Sequence, residues 1–126
     1  MLVVLEWFHA AHSIYRTHSM SLRAMKESFY VIGMGQSSCV DDVGKAVFDE
    51  FHELMPSSIF DQVAQIRAMS EKKEAAVIYM PSIGMNLVTI FAASLRLAPV
   101  QVTALGHGAS TQSPWVDYFA VDEDFV

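Results

Sequence analysis

Short apolar runs alternate with helical patterns along this chain of 126 residues. The apolar runs have the length of strands and include β-branched and aromatic residues, which suit a pleated sheet. Strands are predicted at Leu2–Phe8, Phe29–Gly33, Glu53–Met55, Ala76–Met80, Val100–Leu105 and Tyr118–Val121. Strands that alternate with helices are typical of a parallel sheet. We therefore predict a single α/β domain over residues 1–126, with an open, mainly parallel Rossmann-like sheet and helices on both faces.

The helical patterns lie between these runs. Ile59, Val63 and Ile66 recur at helical spacing, and Ser57-Ser58 precedes them in a position suited to an N-cap. The predicted helices run from Ser19 or Ser21 to about Ser28, over Asp41–Phe51 (short or partly irregular), over Ile59–Lys73 and over Asn86–Leu97.

The composition is unusually apolar for a domain of this size. Hydrophobic residues make up 52% of the chain and charged residues 17%. Either the core is rich in methionine and valine, or apolar surface is left exposed to meet another domain or a second copy. The chain begins inside a strand-like run and ends at Val126 without a polar tail. We therefore expect it to be a fragment of a longer protein.

Charge and cysteine content exclude several classes of function. A formal net charge of −6 argues against binding to nucleic acid or to anionic membrane surfaces. The one cysteine, Cys39, allows no intrachain disulfide and fits a reducing, cytoplasmic location. No stretch is long and apolar enough to span a membrane, and Met1–Leu5 lacks the features of a signal peptide.

Small and polar residues follow several of the predicted strands. Ligands of parallel α/β sheets bind at the carboxyl ends of the strands, so these residues are candidates for substrate binding. They are Ser82, Gly84, Gly106, His107 and Thr111. The imidazole of His107 lies between two glycines that would let a ligand approach closely, although a solvated turn histidine fits the pattern equally well.

A histidine-rich segment follows the first predicted strand. His12 and His18 are too widely spaced for the one-turn histidine pair of a helical zinc site, and no cysteine cluster is present, so we predict no metal. With Arg16 and Ser19 nearby, such a loop could orient a nucleophile or donate hydrogen bonds to phosphate and sugar oxygens. The alternative is that each histidine is structural.

Gly33-Met34-Gly35 also follows a predicted strand. A dinucleotide-binding motif would place its third glycine at position 38, which is Ser38, and Asp41-Asp42 would repel a pyrophosphate. The pattern therefore favours a β-turn over binding of NAD. Cys39 lacks a nearby base and is interpreted as incidental, and His52 is interpreted as structural.

Three separated motifs resemble the family 41 glycosyltransferases. They are Tyr79–Met85 (YMPSIGM), Arg96–Gln101 (RLAPVQ) and Leu105–Thr111 (LGHGAST). The likeness is strongest to bacterial cytoplasmic enzymes that N-glucosylate adhesins and weaker to eukaryotic O-linked N-acetylglucosamine transferases. It extends to Val4–Phe8 and His12–Ser19, and the chain departs from the pattern at Gly108, where the family has proline, and at Gln112, where histidine is usual.

The resemblance implies one half of a GT-B enzyme, in which two Rossmann-like domains face each other across a cleft. Such enzymes transfer a hexose from UDP-glucose or a related UDP-hexose to asparagine in Asn-x-Ser/Thr, with no metal or further cofactor. This chain would be the first domain and inactive alone. Its partners would be the missing second domain, which holds most nucleotide contacts, and an adhesin-like acceptor. The alternative is a truncated remnant without catalysis, which only folds or binds a partner.

The same resemblance assigns roles to individual residues. His18, and after it His12, would be the catalytic histidines, hydrogen-bonding the diphosphate or the acceptor amide. Ser19 and Arg16 would lie near the donor phosphates, and His107 would line the same cleft.

Overall fold

Within residues 1–104 and 113–121, which the computed structural model describes, six strands form one parallel sheet. The strand order is β3-β2-β1-β4-β5-β6, and every neighbouring pair is parallel. The strands are β1 Leu2–Val4, β2 Ile32–Gly35, β3 Glu50–Glu53, β4 Val77–Met80, β5 Val100–Ala104 and β6 Tyr118–Ala120. The open, parallel Rossmann-like sheet predicted from the sequence is confirmed.

Helices cover both faces of this sheet, as predicted. They are α1 Ser13–Met25, α2 Asp42–Lys45, α3 Ile59–Lys72 and α4 Leu87–Ala93. One apolar cluster contains Leu22 of α1, and a second contains Ile66 of α3 and Val88 of α4. None of these helices has the length and apolar character needed to cross a lipid bilayer.

The central strands β1, β2 and β4 are almost entirely buried, which explains why β1 and β4 read as continuous apolar runs. Leu2 and Val4 of β1 pack in the cluster with α3 and α4, whereas Val3 between them packs with α1. Alternate side chains of a strand point to opposite faces of the sheet. A strand covered by helices on both sides is therefore mostly apolar, whereas the outer strands β3 and β6 are partly or fully exposed.

A loop was predicted over His9–Ser19, and this prediction was wrong from Ser13 onwards, because Ser13–Ser19 belong to helix α1 while residues 9–12 form the turn before it. Helix α1 begins at Ser13, six residues before the predicted start, and the side chain of His12 caps it. The buried positions Ile14, His18 and Leu22 are spaced four residues apart. Histidine occupies the middle of this stripe, so the helical period was hidden from a search for apolar residues.

The prediction of a turn at Gly33–Ser38 was also wrong, because Gly33 and Gly35 both lie in β2. A Cβ at Gly33 would lie 2.6 Å from the ring of Phe48, so glycine is needed for close packing rather than for a turn. The turn begins at Gln36, whose carbonyl accepts hydrogen bonds from the N–H groups of Cys39 and Val40.

Three further boundaries differ from the predictions. The predicted helix over Asp41–Phe51 is the single turn α2, and the strand expected at Glu53–Met55 is β3, which starts three residues earlier. Helix α3 is confirmed and is capped by Ser58. Helix α4 ends at Ala93 rather than at Leu97, because the N–H of Leu97 donates to the Gln101 side chain instead of continuing the helix.

Candidate functional site

The strand order reverses between the neighbouring strands β1 and β4, and open α/β sheets bind ligands in the crevice at that point. The carboxylate of Glu6, which follows β1, bridges this crevice. Its Oε2 accepts hydrogen bonds from the N–H of Gly84 at 3.1 Å, from the N–H of Asn86 at 2.7 Å and from the hydroxyl of Thr89 at 2.5 Å. Glu6 thereby ties the end of β1 to the start of α4.

Glu6 was not among the site residues predicted from the sequence, although its place inside an apolar run could have indicated a role. Glu6 is the one charged residue in the apolar run Leu2–Phe8. It is 2% exposed, and its Oε1 has no hydrogen-bond partner among the described residues. A carboxylate that is buried in a strand-like run needs several donors. Such a residue is therefore a candidate for holding a loop in place.

The predicted binding residues Ser82 and Gly84 lie in the loop that Glu6 holds. Ser82 is buried, and Gly84 has a φ of 123°, a conformation that favours glycine. The Gly84 N–H is already donated to Glu6. The backbone of this loop therefore offers fewer free donors than a glycine-rich phosphate loop, in which successive N–H groups face the ligand.

The carboxylate of Glu6 lies where a bound anion would lie in a dinucleotide-binding fold. In such folds a phosphate accepts hydrogen bonds at the start of the helix that follows a strand. Here the carboxylate of Glu6 takes that place at α4. A phosphate brought to the same point would meet a buried negative charge. The diphosphate of a nucleotide donor is therefore disfavoured at this helix.

His12 lies at the amino end of α1, on the same edge of the sheet. Its Nδ1 accepts a hydrogen bond from the N–H of Ile14 at 3.2 Å, which places the proton of the neutral ring on Nε2. Partial burial, followed by the charges of His9 and Arg16, lowers the pKa of His12 below its usual value. The ring is therefore neutral at pH 7 and can donate a hydrogen bond from Nε2.

His18 lies one and a half turns further along α1 and is buried. It lines a cavity of about 190 Å³ together with the hydroxyl-bearing residues Thr17, Ser21 and Tyr79. Burial raises the pKa of the Tyr79 phenol to about 12, so the group stays protonated. The cavity thus has an imidazole and three hydroxyl groups among its lining residues, a set that suits hydrogen bonding to a polar ligand.

The two histidines are not brought into one cluster. They are six positions apart along the chain, which corresponds to a rise of about 9 Å along the axis of α1. His12 is half-buried and its ring packs edge-on against His9, whereas His18 is on the buried side of the helix. Of the neighbouring candidates, Arg16 is exposed and Ser19 is buried.

The remaining predicted site residues cannot be compared with this geometry. Gly106, His107 and Thr111 lie outside the described residues, as do the departures from the family pattern at Gly108 and Gln112. Their roles stay predictions. In the described part of the chain, no three histidine, cysteine or acidic side chains converge to hold a metal ion.

The motif Arg96–Gln101 has an architectural role. The guanidinium of Arg96 donates two hydrogen bonds to the carboxylate of Asp117, at 2.6 and 2.9 Å, and lies 5.7 Å from the ring of Trp115. Asp117 also accepts from the backbone N–H of Gln101 at 2.8 Å. These contacts join the end of α4, the start of β5 and the segment before β6.

The side chain of Gln101 is fully buried, and both ends of its amide are hydrogen-bonded. Its Oε1 accepts from the N–H groups of Leu97 and Ala98, and its Nε2 donates to the carbonyls of Leu95 and Trp115, both at 2.8 Å. The polar atoms of the motif are thus used within the fold and do not point to a ligand.

The ion pair of Arg96 and Asp117 predicts a contribution to stability that depends on pH. Hydrogen bonds from Arg96, and then from the Gln101 N–H, lower the pKa of Asp117 from 3.8 to about 2. A lowered folded-state pKa stabilises the folded state above pH 3.8, and this contribution is lost as the pH falls towards 2. We expect Asp117→Asn to be less stable than wild type at pH 7, with a difference that shrinks between pH 4 and pH 2.5.

Urea unfolding at pH 7, 4 and 2.5 measures this effect. Glu27→Gln, at an exposed carboxylate just after α1, serves as the control and should follow the wild type at each pH. The side chains of Arg96 and Asp117 are 35% and 29% exposed, so added salt should also reduce the difference. A difference that stays constant from pH 7 to pH 2.5 would contradict the assignment.

Comparison with known proteins gives two matches that cover the whole chain. The chain is 52% identical over 126 residues to UDP-glucose:protein N-beta-glucosyltransferase of Actinobacillus pleuropneumoniae serotype 5b (strain L20). It is equally similar to the protein of that name from serotype 7 (strain AP76). The chain spans 20% of the length of each relative. No protein-family model matches the chain. The matches confirm the resemblance that the three motifs predicted.

Proposed function

We propose that this chain forms the first Rossmann-like half of a GT-B protein glycosyltransferase that uses a UDP-hexose donor. The observation that carries the proposal is the 52% identity over the full chain to two UDP-glucose:protein N-beta-glucosyltransferases. The donor would be UDP-glucose or a related UDP-hexose. The acceptor would be asparagine in an Asn-x-Ser/Thr sequence of an adhesin-like protein in the cytoplasm.

The geometry of the crevice supports a proposal in which this half and a second domain contribute different groups to the active site. Glu6 accepts from the N–H groups of Gly84 and Asn86 just before α4, and the Asn86 side chain accepts from Val88 in its first turn, so three donors there are already used. Inverting transfer without a metal needs fixed donors that stabilise the departing diphosphate. In this proposal a second domain supplies most of them, while α1 supplies His18 and His12 near the acceptor or the phosphates.

A chimera tests this function directly. The chain replaces the matching fifth of the serotype 5b relative, and the product is incubated with UDP-glucose and an Asn-x-Thr peptide. We expect the chimera to glucosylate the peptide, as measured by mass spectrometry, and the isolated chain to give no product. A folded but inactive chimera would contradict the proposal and favour the non-catalytic remnant. Product from the isolated chain would contradict the division between two halves.

The same chimera tests the histidines. Loss of one fixed hydrogen-bond donor to charge that develops in the transition state lowers kcat by about 100- to 1,000-fold. His18→Ala is therefore expected to lower kcat by about 100-fold. His52→Ala is the matched control, because His52 lies on the edge strand β3 and pairs with Glu50 away from the crevice. Equal activities of the two variants would remove His18 from the proposed site.

The second candidate is a module that binds a partner without catalysis, and the exposed apolar side chains of α3 and α4, such as Phe60 and Ile90, favour it. In that case the chain folds and associates through this surface but turns over no donor.

A further inference from the structure

Helix α4 is apolar on the side that faces away from the sheet. Its inner side buries Val88, Thr89, Ala92 and Ala93. Its outer side, continued by the turn that follows, carries an exposed stripe at positions i, i+3, i+4 and i+8: Leu87, Ile90, Phe91 and Leu95. A helix with apolar residues on all sides is typical of one that is covered on all sides.

Helix α3 extends this stripe into an apolar groove. Phe60 is 76% exposed, and its ring packs edge-on against Phe91 at a centroid distance of 6.1 Å. Behind these rings lies a groove of about 340 Å³, whose floor includes Val63, Ala64 and Leu97. We call the surface formed by Phe60, Leu87, Ile90, Phe91 and Leu95 the α3/α4 face. Its members other than Phe60 are 40–57% exposed.

We propose that the α3/α4 face is a self-association surface, which joins two copies of this chain about a two-fold axis. The five side chains expose roughly 500 Å² of apolar surface, at the upper end of the largest patches found on monomers. Two such faces would together bury about 1,000 Å², the lower limit for a specific interface. In a two-fold arrangement the exposed Phe60 ring of each copy enters the groove of the other.

The charges on this face permit contact between identical copies. The chain as a whole has a formal charge of −6, which would oppose association. Helix α4 has no ionisable side chain, and on the neighbouring turns of α3 Arg67 forms an ion pair with Glu71 at 3.3 Å. The centre of the face, at Ile90 and Phe91, can therefore meet its copy without bringing like charges together, and the exposed carboxylate of Asp61 beside Phe60 is hydrogen-bonded to Ser57 and Ser58. An interface at the lower limit of size is typical of weak, transient association, so we look for a dissociation constant of about 1–100 μM.

Sedimentation velocity between about 1 and 100 μM tests the proposal on the 126-residue chain. We expect the wild type to shift from monomer to dimer over this range. Ile90→Glu places a carboxylate in the centre of the stripe and should raise the dissociation constant at least 100-fold. Phe29→Glu is the matched control, because Phe29 is a similarly exposed apolar residue just after α1, on the other side of the sheet. It should dimerise like the wild type.

Thermal melts of both variants show that they remain folded. A second variant, Phe60→Ser, should weaken the dimer without adding charge. A wild type that remains monomeric at 100 μM would overturn the proposal and leave the face to a different protein segment. A dimer that Ile90→Glu and Phe60→Ser leave unchanged would overturn it as well, because the contact would then lie elsewhere.

Discussion

Gln101→Leu is expected to lower the free energy of unfolding by about 4 kcal/mol, because it leaves four backbone groups without a partner in or near the core. The substituted side chain has a similar size, so the loss reflects hydrogen bonding rather than a cavity. The N–H groups of Leu97 and Ala98 are the costliest, since their bonds to Gln101 are buried. Urea unfolding at pH 7 measures the change.

Gln65→Leu is the matched control for this substitution. Gln65 on α3 also makes two hydrogen bonds to backbone, with the N–H and the carbonyl of Met55, but those bonds are exposed to solvent. Water replaces the lost partner there, so we expect a change below about 1 kcal/mol. Similar losses in the two variants would show that Gln101 has no special role in joining α4 to β5.

Glu6→Ala is expected to lower the free energy of unfolding by about 3 kcal/mol, since the backbone N–H groups of Gly84 and Asn86 lose their acceptor. The hydroxyl of Thr89 also loses Glu6 but keeps the carbonyl of Asn86 as an acceptor at 2.8 Å. Part of the loss is offset, because the variant no longer buries a carboxylate whose Oε1 lacks a partner among the described residues. Urea unfolding and amide hydrogen exchange at Gly84 and Asn86 measure the effect.

Two further variants test whether the loss comes from the hydrogen bonds of Glu6 or from the removal of any carboxylate. Glu6→Gln keeps one oxygen for the three donors and should cost less than Glu6→Ala. Glu27→Ala removes an exposed carboxylate and should change stability by less than about 0.5 kcal/mol. If Glu6→Ala and Glu27→Ala behave alike, Glu6 does not hold the loop.

Gln101 and Glu6 are buried polar residues in segments that resemble the glycosyltransferase family, and both stabilise the fold. Gln101 and its neighbours fix the edge of the sheet, and Glu6 fixes the loop that contains Ser82 and Gly84. Both use side chains to complete backbone hydrogen bonding at irregular connections, where no helix or strand can do so. Among the described motif residues, Glu6 and the loop that it holds thus lie at the crevice, whereas Arg96–Gln101 lies at the amino end of β5, on the opposite edge of the sheet. The histidines at α1 remain the proposed chemical groups.

The amino-acid sequence by itself determined the class of fold. The run Ala76–Met80 is apolar at every position, and Val100–Leu105 is apolar apart from Gln101 and Thr103, because strands buried on both faces tolerate few polar residues. Helix α3 was predicted almost to the residue, since Ile59, Val63 and Ile66 give a clear helical period and Ser58 supplies the cap. These patterns are local in the sequence and can be recognised without knowing which other segments pack against them.

Tertiary structure alone decided the features that depend on contacts between distant segments. The first half of helix α1, before Ser19, escaped prediction because His18 takes a buried place that a pattern search assigns to apolar residues. Gly33 suggested a turn, and only the ring of Phe48 lying against it shows why a strand needs glycine there. The partners of Glu6 lie about eighty residues away along the chain. Such pairings follow from the strand order, which places β1 beside β4, and no local pattern carries that information.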